Sequence, residues 1–198
     1  MKSIPSPTQP KNGYFYTIGL LALGMAVTRF HHEGTAIALP DASLAAFFLA
    51  GAFLGGYRGF FVLLAIAFSI DLLAISALGV SDYCFSPAYS FLVPTYAAMW
   101  YAGGKSRSAQ RLSLQSHVLA YAIAVAVSTS LAFLISNGSF YWFSGKVAEV
   151  GIFNYFLELA KGYPAYLGAT AFYVLLGISL EALLRSLVAQ RAGQADSL

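Results

Sequence analysis

Cys84 is the residue of this sequence with the most distinctive chemistry. It is the only cysteine and lies in a polar break, Val80 to Pro87, between two apolar stretches. A single thiol forms no internal disulfide, and thiolates bind soft or borderline metals and act as nucleophiles. The alternative is that Cys84 is an ordinary small apolar residue.

Three further polar residues lie near the ends of apolar stretches: His32 beside His31, Asp71 and Tyr89. A carboxylate within an apolar span costs roughly 2.5–3.5 kcal/mol and by default marks a functional site. For Asp71 the alternatives are ligand contact, proton coupling, or a protonated carboxyl bonded to a neighbouring helix. Each histidine, and Tyr89, also has an ordinary structural explanation. Together with Cys84 they predict a polar pocket in which a metal-bearing ligand takes the thiolate as inner-sphere donor, with His and Asp as outer partners.

The composition predicts an all-α integral membrane protein. Of the 198 residues, 59% are hydrophobic and 10% are charged, whereas soluble domains carry about 25% charged residues. No basic stretch is dense enough to track nucleic-acid phosphates. We expect a flexible cytoplasmic tail over 1–13, a transmembrane domain over 14–187 and a cytoplasmic C-terminal tail over 188–198.

Six apolar segments approach the roughly 20 residues that a helix needs to cross a bilayer. They are Tyr14–Phe30, Asp41–Gly56, Gly59–Leu78, Ala88–Ala102, Ser116–Ile135 and Tyr163–Leu187. Pro94 predicts a kink in the fourth helix.

The lysines and arginines indicate how these spans are oriented. With the N-terminus in the cytoplasm, eight of the 11 fall inside and only Arg29, Lys146 and Lys161 fall outside. Both termini are then cytoplasmic and Cys84 faces outward.

The longest predicted connection, 136–162, also lies outside and is rich in aromatic residues. We expect a surface helix over 147–161. The aromatic residues are explained either by an interfacial belt or by a lid over a large ligand.

Motifs for several other activities are missing from the sequence. Gly103-Gly104-Lys105-Ser106 resembles the end of a phosphate-binding loop, but the position that requires glycine holds Met99. The chain therefore encodes no ATP site. It also has no Cys-x-x-Cys, no zinc-protease helix and no Gly-x-Ser-x-Gly.

The sequence resembles the substrate-binding S-components of energy-coupling-factor vitamin transporters, and more narrowly the BtuM family of solitary S-components for vitamin B12. The resemblance covers essentially the whole chain. It is carried by six predicted spans without an ATP site, by Ala22-x-x-x-Ala26 on the first helix, and by the order and spacing of His32, Asp71, Cys84 and Tyr89.

The resemblance implies that cobalamin binds from the periplasmic side of the bacterial inner membrane. It implies that Cys84 coordinates cobalt at an axial position, with the nucleotide base displaced, and promotes loss of cyanide from cyanocobalamin. Similar S-components pair through the Ala-x-x-x-Ala face with a coupling subunit and two ATPases, whereas members of this family are described as solitary. Ala22 and Ala26 are equally explained by packing within the bundle.

Three other functions stay open at this point. The protein is an S-component for another vitamin or metal, with Cys84 incidental, or a membrane enzyme with Cys84 as nucleophile and Asp71 as its acid–base partner. A scaffold protein that uses its small-residue faces is the third.

Overall fold

A computed structural model describes residues 11–29, 40–79, 81–83, 85–107, 114–147 and 149–195. Three residues with predicted chemistry, Cys84, His31 and His32, lie outside the described residues. The chain on either side of them is described.

The described residues form six α-helices and one 3-10 helix, with no strand among them. In chain order they are α1 (Lys11–Arg29), α2 (Ser43–Phe53), α3 (Tyr57–Leu78), the 3-10 helix η1 (Pro87–Phe91), α4 (Leu92–Ser106), α5 (Leu114–Phe143) and α6 (Ile152–Ala195). The all-helical fold is confirmed, and each of the six predicted segments contains a helix.

The predicted connection over 136–162 is wrong. Helix α5 continues to Phe143 and α6 begins at Ile152, so only residues 144–151 connect the two helices. The expected surface helix is instead the first part of α6, which continues through Pro164. Tyr163 and Tyr166 flank this proline, and their rings pack 5.1 and 5.2 Å from the ring of Phe133 on α5. These contacts stabilise the helix where proline removes a backbone donor.

Pro94 does not interrupt a helix. The chain enters this region as the 3-10 helix η1, and α4 begins at Leu92. Pro94 therefore lies in the first turn of α4, where a backbone N–H has no partner within the helix and its loss costs little. The prediction of a mid-helix kink was wrong because it placed the start of the helix at Ala88.

Helix α2 lies at the centre of the bundle and is buried from Ser43 to Ala52. A helix that is apolar all round is stable only when other helices surround it, and α1, α3, α4, α5 and α6 all contact α2. Its 11 residues extend only about 16 Å. It therefore occupies part of the thickness of a bilayer and acts as a packing centre.

Two glycines allow α2 and α4 to approach closely. A Cβ on Gly51 would overlap the backbone carbonyl of Trp100, and a Cβ on Gly103 would overlap that of Phe48. Gly103, which the sequence presents as part of a phosphate-loop fragment, thus has a packing role. Small residues at helix contacts are typical of membrane bundles.

Three helices are long and apolar enough to cross a membrane: Tyr57–Ala77, Gln115–Phe143 and Ile152–Leu184. Only 11% of the most apolar window of the last one is buried, and its Phe172, Leu175 and Leu176 are exposed. Exposed apolar surface of this extent needs a partner other than water. The protein is therefore suited to a bilayer.

Candidate functional site

A buried arginine lies at the centre of the polar cluster of this bundle. Arg29 ends α1, and its side chain is 7% exposed. Its Nε donates to Ser43 Oγ on α2 at 2.8 Å and its Nη1 donates to the Ala67 carbonyl on α3 at 3.2 Å. Its Nη2 donates to the hydroxyl of Tyr96 on α4. One guanidinium thus joins four helices.

Asp71 supplies the charge that balances Arg29. Arg29 Nη1 lies 2.5 Å from Asp71 Oδ1. The other carboxylate oxygen, Oδ2, accepts a hydrogen bond from the Tyr89 hydroxyl at 2.6 Å. Asp71 and Tyr89, which the sequence singles out separately, are therefore direct partners. With an arginine on one oxygen and a phenol on the other, the Asp71 side chain is fixed in position.

A second carboxylate borders the same cluster. Asp41 Oδ1 accepts from Ser43 Oγ at 2.6 Å and from the Ser43 backbone N–H at 2.9 Å, just before α2 begins. It lies 3.8 Å from Arg29 Nε and its side chain is 37% exposed. We call Arg29, Asp41, Ser43, Asp71, Tyr89 and Tyr96 the Arg29 cluster.

Burial and exposure divide the Arg29 cluster into two sides. Ser43 and Tyr96 are fully buried, and the Tyr96 ring stacks on Phe47 at 4.2 Å. Asp71, at 22% side-chain exposure, and Asp41 have the accessible oxygens. Arg29 and its buried partners hold the helices together, whereas Asp71, Tyr89 and Asp41 form the side on which a ligand has polar groups to contact.

Aromatic contacts hold the two neighbours of position 84, one at this cluster and the other at α5. The Phe85 ring lies 4.8 Å from the Tyr89 ring and 6.2 Å from the Phe68 ring on α3. On the other side of position 84, the Tyr83 ring lies 5.6 Å from Phe140 on α5. The chain at positions 83 and 85 therefore spans from α5 to the Tyr89 side of the Arg29 cluster.

The segment between positions 29 and 40 also begins and ends at this cluster. Arg29 and Asp41 belong to the cluster, and the Ala42 N–H donates to Thr28 Oγ1 at 3.1 Å. In sequence, His31 follows Arg29 by two residues and His32 precedes Asp41 by nine. The segment that contains both histidines therefore starts and ends at residues of the cluster.

An apolar groove of about 460 Å³ adjoins the cluster between α3 and α4. Its lining is almost wholly hydrocarbon and aromatic, and it reaches the cluster at Tyr89 and Tyr96. Its volume lies toward the small end of the roughly 300–1,000 Å³ usual for small-molecule pockets. A large ligand at the cluster would extend well beyond this groove.

Aromatic residues at the end of α5 contact α6 and η1. Tyr141, near the end of α5, lies 5.0 Å from Tyr155 on α6, ring to ring, and its hydroxyl donates to the Val150 carbonyl at 2.9 Å. Phe143 stacks on Phe91 of η1 at 5.0 Å. Trp142 and Phe153 are exposed, as in an interfacial aromatic belt.

Sequence reasoning missed Arg29, Tyr96, Ser43 and Asp41 as parts of one cluster. The sequence predicts Arg29 as an outer-loop charge because it follows an apolar run, but in the structure it is the buried last residue of α1. Tyr96 follows Tyr89 by seven residues, but Tyr89 lies on the 3-10 helix η1 and Tyr96 on α4, so the α-helical period does not relate the two. Nothing in the sequence near Arg29 identifies its partner 42 residues away.

Among the described residues, no three of His, Cys, Asp and Glu come together as a metal site. No family model matches the sequence, and no curated protein matches it either.

Proposed function

We propose that the protein binds vitamin B12 at the Arg29-cluster end of the bundle and takes it up across the bacterial inner membrane. The proposal rests on the resemblance to BtuM-type S-components and on one structural observation. Asp71 and Tyr89 are hydrogen-bonded to each other, and Tyr89 packs on Phe85, the neighbour of Cys84. Two of the four residues that carry the resemblance are therefore direct partners, and Phe85, which follows Cys84 in sequence, packs on one of them.

In this proposal Cys84 is the inner-sphere ligand of the cobalt. Its thiolate takes the axial position of the nucleotide base and donates charge to cobalt, which weakens the bond to cyanide on the opposite face of the corrin. Cyanide leaves as an anion and the oxidation state of cobalt is unchanged. His32, Asp71 and Tyr89 contact polar groups of the vitamin. The chain passes through the membrane six times with both termini in the cytoplasm, and the short helix α2 forms only part of its pass.

The Arg29 cluster supports this proposal because it fixes the positions of polar side chains before a ligand binds. Arg29 holds Asp71 in one position by a 2.5 Å contact, and Asp71 in turn orients the hydroxyl of Tyr89. A site whose polar groups are fixed before binding loses less conformational entropy on binding. The same cluster serves an S-component for another ligand equally well, so the experiment must separate the two.

An optical titration of the purified protein with cyanocobalamin tests the proposal. We expect a saturable shift of the cobalt-centred absorption, abolished by Cys84→Ser, because serine offers no thiolate. Tyr89→Phe removes the hydroxyl that bonds Asp71, and we expect about tenfold weaker binding, equivalent to ~1.4 kcal/mol. Tyr83→Phe is the matched control: its ring is held by the Phe140 contact, and we expect wild-type affinity.

Three results would contradict the proposal. A spectrum that stays that of free cyanocobalamin with the wild-type protein removes vitamin B12 as the ligand. Equal affinity of the wild type and Cys84→Ala, with normal uptake by cells, leaves an S-component in which the thiol is incidental. Release of cyanide through many turnovers without net uptake would instead identify a membrane enzyme.

A further inference from the structure

The polar atoms that the Arg29 cluster offers to a ligand are hydrogen-bond acceptors. Every nitrogen of Arg29 donates to a partner within the bundle, and its side chain is only 7% exposed. The Tyr89 hydroxyl donates to Asp71 Oδ2, and the Ser43 hydroxyl donates to Asp41 Oδ1. The protein itself therefore uses these donors, and the accessible carboxylate oxygens are left for groups that donate.

Asp41 has the most accessible of these oxygens. Its side chain is 37% exposed, against 22% for Asp71. Asp71 has a partner on each carboxylate oxygen. Asp41 accepts both of its hydrogen bonds from Ser43 on Oδ1, and its Oδ2 accepts none from the part of the chain that the structure describes. Asp41 thus has one oxygen that the protein does not use.

The carboxylate of Asp41 is also held in one place. Ser43, which donates to it twice, is fully buried and accepts a hydrogen bond from Arg29 Nε at 2.8 Å. The next residue, Ala42, is tied to α1 by the hydrogen bond of its N–H to Thr28 Oγ1. Because Asp41 is fixed before binding, a contact with a ligand loses little conformational entropy.

The free oxygen of Asp41 distinguishes amide groups from carboxylate groups on a ligand. A primary amide has two N–H donors, whereas an ionised carboxylate has only acceptors. A carboxylate placed against Asp41 would therefore form no hydrogen bond and would meet a like charge. Contacts of this kind create specificity by rejecting the wrong ligand.

We propose that Asp41 is a specificity-determining residue that accepts a hydrogen bond from a primary amide at the edge of the corrin ring and rejects corrinoids with a carboxylate there. This inference rests on the function proposed above, since it assumes that cobalamin, whose ring carries primary amides, is the ligand. It assigns a role to a residue that the sequence does not single out.

The monocarboxylic acids of cyanocobalamin test this proposal on the wild-type protein. In each of them one peripheral amide is hydrolysed to a carboxylate, and the rest of the vitamin is unchanged. We expect optical titration to show at least one acid binding about tenfold more weakly than cyanocobalamin, because it loses a hydrogen bond to a charged group. Equal affinity for cyanocobalamin and every acid would overturn the role of Asp41.

Asp41→Asn should remove this discrimination. Asparagine keeps an oxygen for the Ser43 donors and presents an N–H that can donate to a carboxylate. The acid that the wild type rejects should therefore bind Asp41→Asn about as well as cyanocobalamin does. Cyanocobalamin itself should lose only about threefold in affinity, because its amide can turn its carbonyl toward the asparagine. Asp41→Ser also removes the charge and repeats the test should Asp41→Asn fail to fold.

Glu149→Gln is the matched control for the loss of one negative charge. Glu149 is exposed in the connection between α5 and α6, and this end of α5 lies at η1 through the contact of Phe143 with Phe91. We expect Glu149→Gln to reject the acid as the wild type does. Equal recovery of acid binding in Glu149→Gln and Asp41→Asn would overturn the proposal, because net charge would then explain the effect.

The same titrations separate a failure of this inference from a failure of the proposed function. A wild-type protein that binds cyanocobalamin and all of the acids equally keeps vitamin B12 as its ligand and excludes the role of Asp41. A wild-type protein that binds neither cyanocobalamin nor any acid overturns the proposed function and this inference together. Rejection of an acid that persists unchanged in Asp41→Asn would assign the discrimination to another residue.

Discussion

At the scale of single residues, Arg29 joins more helices of this bundle than Asp71 or Tyr89, the two described site residues that the sequence predicts. Its donors reach Ser43, the Ala67 carbonyl, Asp71 and Tyr96, which lie on three other helices. Lysine lacks the planar fork and the five donors that serve these acceptors together. The charge of Asp71 is tolerated within an apolar bundle because this one side chain neutralises it.

Removing only one partner of the Arg29–Asp71 ion pair should therefore lower the stability of the protein substantially. Arg29→Gln leaves the Asp71 carboxylate half-buried without its cation, and we expect a loss of about 3–5 kcal/mol, measured by denaturant unfolding in detergent. The double variant Arg29→Met with Asp71→Leu should regain most of that loss, since apolar pairs of similar volume replace buried ion pairs well. It should nevertheless fail to bind cobalamin, as expected of a site that needs Asp71.

The exposed ion pair of Lys161 and Glu158 supplies the control for this experiment. Both side chains are at least 65% exposed, and exposed pairs are worth about 0–1 kcal/mol. Lys161→Gln should therefore leave stability nearly unchanged. Equal losses for Lys161→Gln and Arg29→Gln would contradict the central role of Arg29.

At the scale of helices, hydropathy predicts where each one lies but not where each one ends. The six apolar segments all contain helices, because apolar runs of this length are stable in lipid only as helices. The aromatic and polar residues of the 136–162 segment interrupt the apolar run, and for this reason the sequence predicts a connection there and not two helix ends. The ring contacts of Tyr163 and Tyr166 with Phe133, which keep that chain helical, are tertiary and leave no local pattern.

The residues of the candidate site also differ in whether the sequence alone can identify them. Asp71 could be identified from sequence because a carboxylate in an apolar run is conspicuous by itself. Arg29 could not, because a cation at the end of a span is also the ordinary signal of topology. Only the crossing of α1, α2, α3 and α4 shows that Arg29 faces inward.

The close contact between α2 and α4 predicts which glycine-to-alanine substitutions cost the most stability. Gly103→Ala places a methyl group against the Phe48 backbone, which cannot move without separating the helices, and we expect a loss of about 1–3 kcal/mol. Gly177→Ala meets only the Leu49 side chain, which can change rotamer, so its loss should be smaller. Gly168→Ala, with open space around it, should be neutral or slightly stabilising.

Thermal unfolding of the three purified variants in one detergent measures this ranking. Gly168→Ala is the control for the change in helix propensity, because all three glycines lie within helices. If Gly103→Ala unfolds at the same temperature as Gly168→Ala, the close approach of α2 and α4 is not a determinant of stability.

At the scale of the whole molecule, the two ends of the bundle differ in charge. The Arg29 cluster has two carboxylates and one guanidinium, whereas Arg58, Lys105 and Arg107 lie at the opposite end. Along α3, Arg58 and Asp71 are separated by 13 residues, or about 20 Å. Lysine and arginine mark the cytoplasmic side, so the Arg29 cluster should face the periplasm.

Because the sequence contains a single cysteine, labelling its thiol measures this orientation directly. We expect a membrane-impermeant maleimide to label Cys84 in intact spheroplasts, because positions 83 and 85 extend from the cluster end and are exposed. Cys84→Ser should give no label, and Arg58→Cys in that background should be labelled only after lysis, since Arg58 is exposed at the basic end. Labelling of Cys84 only after lysis would place the thiol in the cytoplasm, where it could not capture a vitamin arriving from outside, and the proposed uptake would fail with it.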